Sequence, residues 1–301
     1  MTNHTDTPVT AIIVSTGWLG LKNAVQSVTR QTIPVTPLIV LDKPQAETSI
    51  RRRLAGLHYR LITTRGEEGL AASRNIGVEA ATTEYIAFLD ERDAWVSHKT
   101  HTQLDALRQA TATWGTTVIS SRSLRVQQTS RITPERLYVP GTPIGNYVMD
   151  RSTVRLRRCL MPASTLICHR ETAEWVPWDD TLVHQEDWDW LVRLQEAGVR
   201  ISQLDDVLVR VFPDPAEQPT PAHPAGRTRS WLQSLPATVS DRARGDFTTS
   251  VIARGAFESG ALALGAKHLL KGMYSGAHPT AAMIGLAGLM YFGRHKGHTH
   301  E

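Results

Sequence analysis

The sequence predicts an α/β protein: a mostly parallel sheet flanked by helices, with a helical extension at its C-terminal end. Three observations carry this expectation. Short β-branched runs alternate with segments of helical spacing from residue 9 to about residue 212. Several of these runs stop in acids or glycine-bearing turns, as strands do where an open α/β sheet offers its ligand crevice. After a stretch at 213–226 that holds five prolines, the pattern becomes alanine-rich and helical.

Residues 9–15 (Val-Thr-Ala-Ile-Ile-Val-Ser) are short and β-branched and run into Thr16-Gly17, which reads as a buried strand. Residues 19–30 follow with Leu21, Ala24, Val25 and Val28 at helical spacing. The run 36–41 ends in Asp42-Lys43-Pro44, where the proline stops strand pairing. Residues 51–57 read as helix, 58–63 as strand, 64–68 as a loop, and 70–81 as a helix with small residues on one face. The apolar run 85–89 then breaks off into Asp90-Glu91-Arg92-Asp93-Ala94-Trp95, the sharpest strand end in the chain. A helix at 98–112 and a strand at 116–121 come next. Residues 122–158, rich in Thr, Pro, Gly and Arg, show no clear element, and a loop of that length is more often functional than structural. Residues 162–169 read as a returning strand, and 187–197 as a helix opened by Glu186-Asp187-Trp188-Asp189 and closed by Gly198. The last strand spans 199–211.

An apolar content of 41% with 21% charged residues is that of a soluble globular chain, which excludes a disordered or fibrous class. The net charge of +4 is spread over the sequence, concentrating only at Arg51-Arg52-Arg53 and in 151–158, so an anionic small substrate or a solvated face is favoured over nucleic acid. Cys159 and Cys168 lack metal-ligand spacing, and so few cysteines argue for a reducing compartment. The polar start of the chain reads as a frayed segment at 1–8 rather than a signal peptide, and the longest apolar tract, 280–292, is too short to span a bilayer. His295, His298 and His300 would make only an adventitious metal site at a flexible tail, 294–301.

The two acidic clusters suit a reaction in which a diphosphate leaves and a hydroxyl attacks, since one site must manage phosphate charge and another must take a proton. Taken singly, each has a plainer explanation, a solvated loop for 90–93 and an acid pair at a helix start for Glu186-Asp187.

Five motifs in order resemble the family 2 inverting glycosyltransferases: Ile12-Ile13-Val14-Ser15-Thr16, Leu38-Ile39-Val40-Leu41-Asp42, Gly69-Leu70-Ala71-Ala72-Ser73-Arg74-Asn75-Ile76-Gly77, Tyr85-Ile86-Ala87-Phe88-Leu89-Asp90, and Glu186-Asp187-Trp188-Asp189-Trp190-Leu191-Val192-Arg193-Leu194. The resemblance covers about residues 9–212 and implies a GT-A fold, Rossmann-like in its sheet, as the catalytic domain, followed by the linker at 213–226 and a helical region at 227–293. It implies that Thr16 and Asp42 hold the base and ribose of a nucleotide-sugar donor. Arg74 would contact base or diphosphate, with Asp90 and Glu91 beside ribose and diphosphate. Asp187 would be the general base that deprotonates an acceptor hydroxyl, with Glu186 and Trp188 on the acceptor side.

The sequence departs from the family at telling places. Arg92 stands where the signature usually has a metal-gripping aspartate, and in Arg210-Val211-Phe212 the last residue replaces an expected histidine ligand. A divalent cation, Mg²⁺ or Mn²⁺ on Asp90 and Asp93, is one expectation; Arg92 taking over its electrostatic role is the other. Gly17-Trp18 replaces a Tyr-Asn pair, which leaves the base open. A non-catalytic sugar-nucleotide-binding protein and a nucleotidyltransferase are the alternatives, although Ser15-Thr16-Gly17-Trp18-Leu19-Gly20 is a poor phosphate loop. Acceptor choice is expected to reside in 122–158 and the C-terminal helices. Those helices leave both a homodimer and a peripheral contact of a cytoplasmic protein with the inner face of the membrane as options.

Overall fold

The computed structural model describes residues 9–154, 159–212 and 225–296, with side chains except at 225–227 and 291–296. The N-terminal segment, most of the proline-rich stretch, and His298 and His300 lie outside them, and His295 within the side-chain exceptions. In chain order the elements are β1 (Val9–Ser15), α1 (Leu21–Thr29), β2 (Val35–Leu41), α2 (Glu47–Arg53), β3 (Arg60–Thr63), α3 (Gly69–Ala80), β4 (Tyr85–Asp90), β5 (Ala94–Trp95), α4 (Lys99–Trp114), β6 (Thr117–Arg125), β7 (Arg131–Thr133), α5 (Ile144–Met149), β8 (Ile167–His169), α6 (Arg170–Trp175), α7 (Glu186–Glu196) and β9 (Arg200–Val211). They continue as α8 (Ala225–Ser234), α9 (Asp241–Phe247), a π-helical turn (Thr248–Ala253), α10 (Arg254–Glu258), α11 (Leu262–Tyr274) and α12 (Pro279–Lys296).

These elements form two compact units. One takes in the described residues up to Gly141 and from Met161 to Phe212; the other takes in those from Thr142 to Leu160 and the C-terminal helices. The part of 122–158 that lacked a sequence signal thus splits between them: β7 pairs with β6 in the first unit, while α5 belongs to the second.

The first unit is an α/β sheet of order β3-β2-β1-β4-β8-β6-β9-β5, with β7 beside β6. Its long ladders, β1 with β2, β2 with β3, β1 with β4 and β6 with β9, are parallel; the short ones through β5, β7 and β8 are antiparallel. The chain runs outward from β1 through β2 to β3, then returns to place β4 on the other side of β1. That is a topological switch, and the crevice of an open sheet forms there, at the carboxyl ends of the strands. Register lines those ends up, Ser15 opposite Leu41 and Val14 opposite Asp90, so the residues just past β1, β2 and β4 share one rim.

Why these segments form this sheet is visible in the core. Every residue of β1 is buried, as its unbroken apolar and β-branched run demands of a central parallel strand. Helix α1 meets the sheet through Leu21, Ala24, Val25 and Val28, the face its spacing set. Helix α3 comes closer still, because a Cβ at Gly77 would stand 2.4 Å from Ile12 Cγ2 and 3.3 Å from Val40 Cγ2.

Three expectations shift. The second helix begins at Glu47, four residues early, because Pro44 starts it with a 3₁₀ turn instead of merely ending the strand. Of the strand expected at 162–169 only Ile167–His169 forms, since Thr165 Oγ1 donates to Pro162 O (2.7 Å) and closes a 3₁₀ turn at Ala163–Thr165. Strand β9 runs its full length only through irregular register against β6, Ser121 facing Leu204 and Arg122 facing Val207.

The contact at Gly77 yields a test. Valine there adds bulk against Ile12 without the helix-propensity gain alanine would bring, so Gly77→Val is expected to cost about 1–3 kcal/mol by overpacking. Urea denaturation should show a lower midpoint at unchanged slope; an unchanged midpoint would mean that α3 does not pack this closely.

Candidate active site

The rim past β1 and β4 is organised by one carboxylate. Glu91, buried at 9% exposure, accepts from Ser15 Oγ (2.6 Å), Thr16 N (3.1 Å), Thr16 Oγ1 (2.9 Å) and Trp18 N (2.9 Å). Four donors on one buried acid hold the loop after β1 in a single shape, with Gly17 in the left-handed region (φ 95°) to make the turn. Arg53 NH1 donates to Trp18 O (2.6 Å) from the other side. Trp18 keeps 40% of its surface exposed, and the Arg92 guanidinium lies 4.6 Å from its ring centroid. Glu91, expected beside the donor, thus spends its oxygens on the loop, while Arg92 stands on that loop's aromatic ring.

Past β2, Asp42 does similar work for the next loop. It accepts from Thr64 Oγ1 (2.7 Å), Glu68 N (3.0 Å) and Gly69 N (2.9 Å), tying the β3–α3 loop to the strand end. The two amide donors open α3, where unpaired N–H groups favour an anion.

Helix α3 delivers the central cation. Arg74 is 3% exposed; its NH1 is 2.9 Å from Asp187 Oδ1, its NH2 is 3.6 Å from Asp90 Oδ1, and its Cζ lies 4.3 Å over the Trp178 ring. Asp187 also accepts from Ala163 N (3.0 Å). The two acidic clusters, 97 residues apart in sequence from Asp90 to Asp187, therefore meet at one guanidinium.

Packing fixes the geometry around that cation. Trp178 stacks on Trp190 (4.3 Å, 14°), and both meet Phe88 edge-on. Asn75 Nδ2 donates to Trp178 O and Trp178 N donates to Asn75 Oδ1, each at 2.9 Å. Gln185, immediately before Glu186, sits in the left-handed region (φ 63°), a strained conformation at the start of the acidic helix α7. Asn75 stands in a sequence motif without a role of its own; its reciprocal pairing with Trp178 depends on a fold contact that no spacing encodes.

Asp93 is the surprise of the first cluster. It is 5% exposed and turned inward, accepting from Ser164 Oγ (2.7 Å) and Phe212 N (3.3 Å). Ser164 Oγ in turn accepts from Asp90 N (3.0 Å), so one hydroxyl joins the two aspartates. The position of the missing histidine therefore does adjoin the cluster, but through its backbone. Burial, then the charge of Asp90, push Asp93 up to about 7. Burial, then the charge of Asp187, likewise raise Glu186 to about 7.

A divalent cation was expected on Asp90 and Asp93. Asp90, with 44% of its side chain exposed, fits, because Mg²⁺ commonly takes one or two carboxylates and draws its remaining ligands from phosphate and water. Asp93 does not, since both oxygens already hold protein donors. In the second unit Asp150, Asp246 and His278 bring ligand atoms within 4.8 Å of one another. There Asp246 accepts from His278 Nδ1 (2.7 Å), His278 N (2.7 Å) and Arg151 N (3.0 Å), a set that ties the start of α12 to α9.

A chain with this sheet has relatives. Residues 11–158 match the family described as Glycosyl transferase family 2. Over those residues, just under half of its length, the chain is similar to a family 2 glycosyltransferase domain. It is similar to the amylovoran biosynthesis glycosyltransferase AmsB of Erwinia amylovora, 24% identical over 161 residues, which are 53% of this chain and 52% of that protein. The chain thus spans about half the length of the curated relative it matches. Among solved structures, the domain and its extension resemble S. aureus TarS 1–349 (TM-score 0.57, 13% identity, 96% of this chain and 91% of that one). They also resemble the mannosyltransferase PcManGT of Pyrobaculum calidifontis, solved with GDP-Man and Mn²⁺ (TM-score 0.55, 15% identity, 95% of this chain and 81% of that one). At such identities the likeness is one of fold, and it is the GT-A fold that the family 2 domain implies.

The raised carboxyls set the direction of pH dependence. Asp93, raised from 3.8 to about 7, keeps its proton in the fold where the unfolded chain has lost it. Its contribution therefore favours the fold at low pH and is lost as pH rises from about 4 through 7. In metal-free buffer the melting temperature should fall over this range, and Asp93→Asn should remove part of that fall, leaving the share due to Glu186 and Asp90, which burial also raises. Parallel curves for the two proteins would show that Asp93 is ionised throughout.

Proposed function

We propose that the protein transfers a sugar from a nucleotide-diphosphate sugar to an acceptor hydroxyl with inversion, Asp187 acting as general base. The observation that carries this reading is Arg74 between Asp90 and Asp187. It sets a donor-side acid and an acceptor-side acid on one buried cation, the spacing that an in-line displacement between two substrates needs.

Asp187 is held in place by Arg74 and the Ala163 amide, and its side chain keeps 24% exposure from which to take a proton. The acceptor oxygen then attacks the anomeric carbon, the bond from that carbon to the diphosphate oxygen breaks, and the nucleoside diphosphate leaves with the electron pair. Thr16 and Asp42 line base and ribose on the rim, and Asp90 stands at ribose and diphosphate. Glu91 contributes by shaping the loop that carries Trp18 and Arg92. Glu186 and Trp188 open α7 on the acceptor side. Relatives of this fold were solved with UDP-GlcNAc in one case and with GDP-Man and Mn²⁺ in another, which supports a sugar nucleotide as donor here. A Mg²⁺ or Mn²⁺ ion held by Asp90 would supply neutralising charge to the diphosphate. Arg92, fixed on Trp18, places a second positive group on the same rim and takes a share of that role. Both cysteines are buried thiols not joined in a disulfide, in keeping with a reducing, cytoplasmic setting.

Asp187→Asn should lower turnover of a donor sugar nucleotide by about 10²–10⁴ while leaving donor affinity near wild type. Equal turnover in the two proteins would sink the general-base role, and none in either would point to a binding protein. Arg92 is tested separately: activity should persist in part under EDTA and collapse in Arg92→Ala. Strict metal dependence together with a fully active Arg92→Ala protein would return the whole electrostatic role to the cation.

A further inference from the structure

On α11 and α12 glycines occupy the packed face while most of the large apolar side chains are exposed. On α11 the buried residues are Gly265, His268 and Gly272. A Cβ at Gly265 would stand 2.4 Å from the Phe257 ring, and one at Gly272 would stand 1.9 Å from Thr249 Oγ1, so this face packs backbone-close against its neighbours. The opposite face carries Leu262 at 48% exposure, Leu270 at 70%, Met273 at 37% and Tyr274 at 96%. On α12, Cβ atoms at Gly285 and Gly288 would meet Thr249 O at 2.5 Å and Arg254 O at 2.6 Å, while Met283, Leu286, Leu289 and Met290 are exposed. An ordinary surface helix shows the reverse, apolar residues inward and polar residues outward.

Charge selects the occupant. From Ser259 to Lys296 the sequence holds no Asp or Glu, and its formal charges are Lys267, Lys271, Arg294 and Lys296. On α11 the order Lys267, Leu270, Lys271, Tyr274 follows helical spacing, so the exposed lysines adjoin the exposed apolar residues. Apolar side chains bordered by cations alone match a layer of anionic headgroups over acyl chains. Among the described residues no helix is long and apolar enough to cross a membrane, so such a face would lie on the surface.

We propose that α11 and α12 form a docking face for an anionic lipid surface. The face stands independently of the catalytic reading, because binding and sugar transfer are measured separately. The full chain should co-sediment with vesicles of phosphatidylcholine and phosphatidylglycerol, bind phosphatidylcholine vesicles alone much more weakly, and lose binding at high salt. Lys267→Glu with Lys271→Glu should weaken pelleting about tenfold or more. Leu270→Glu with Met283→Glu, both at exposed positions, should abolish it with circular dichroism unchanged. Equal binding to neutral and anionic vesicles, or none to either, would overturn the proposal. A dimer in sedimentation velocity that Leu270→Glu dissociates, without vesicle binding, would assign the face to a second copy instead.

Discussion

The candidate site depends on one buried charge. A guanidinium that is 3% exposed has lost nearly all its water, and an ion in that position is tolerable only when acids and aromatic faces replace the solvent. Arg74 finds Asp187, Asp90 and the Trp178 ring. Removing one partner of such a pair costs about 3–5 kcal/mol, so each holds the others in place. Around this point α3, the end of β4 and the start of α7 become one structure, although the chain between them is long. Gly77, one turn further along α3, lets the helix sit close to β1 and β2 and so carries Arg74 to the strand ends.

Bringing Asp90, Asp93, Glu186 and Asp187 together creates a repulsion that one cation does not offset. The structure answers it in two ways. Arg74 pairs with Asp187 and Asp90, while burial lets Asp93 and Glu186 retain a proton near neutrality. The acids thus fall into two kinds, those paired with Arg74 and those that hold the surrounding geometry. Asp93 belongs to the second kind: its oxygens serve Ser164 and the backbone past β9, which joins the first acidic cluster to the far side of the sheet.

In the second unit, α11 and α12 obey a different packing rule. Its glycines bring helix backbones within van der Waals reach of one another, which shrinks the volume left for large side chains between them. Leu270, Met273 and Tyr274 of α11 and Met283, Leu286, Leu289 and Met290 of α12 are exposed. Small residues inward and large apolar residues outward is the arrangement that helices adopt when the surroundings are themselves apolar.

The fold of the first unit was legible in the sequence because its central strands are buried on both faces and its helices are amphipathic, so periodicity alone separates them. β1 forms over the residues its β-branched run marks, and β4 ends in the acid that stops the apolar pattern. The family motifs marked Arg74, Asp90 and Asp187 one at a time. Elements with little apolar signal were not legible: β5 is two residues long, α6 is six, and Ser164 in its 3₁₀ turn looked like part of a strand. Sequence by itself determined which residues are chemically able to do the work, because residue type and local spacing travel with the chain. Only the tertiary structure decided that Glu91 serves a loop, that Asp93 faces inward and that Arg74 is shared between acids. Burial and pairing depend on what distant segments bring alongside, and in this chain a cation on α3 meets an acid more than a hundred residues away.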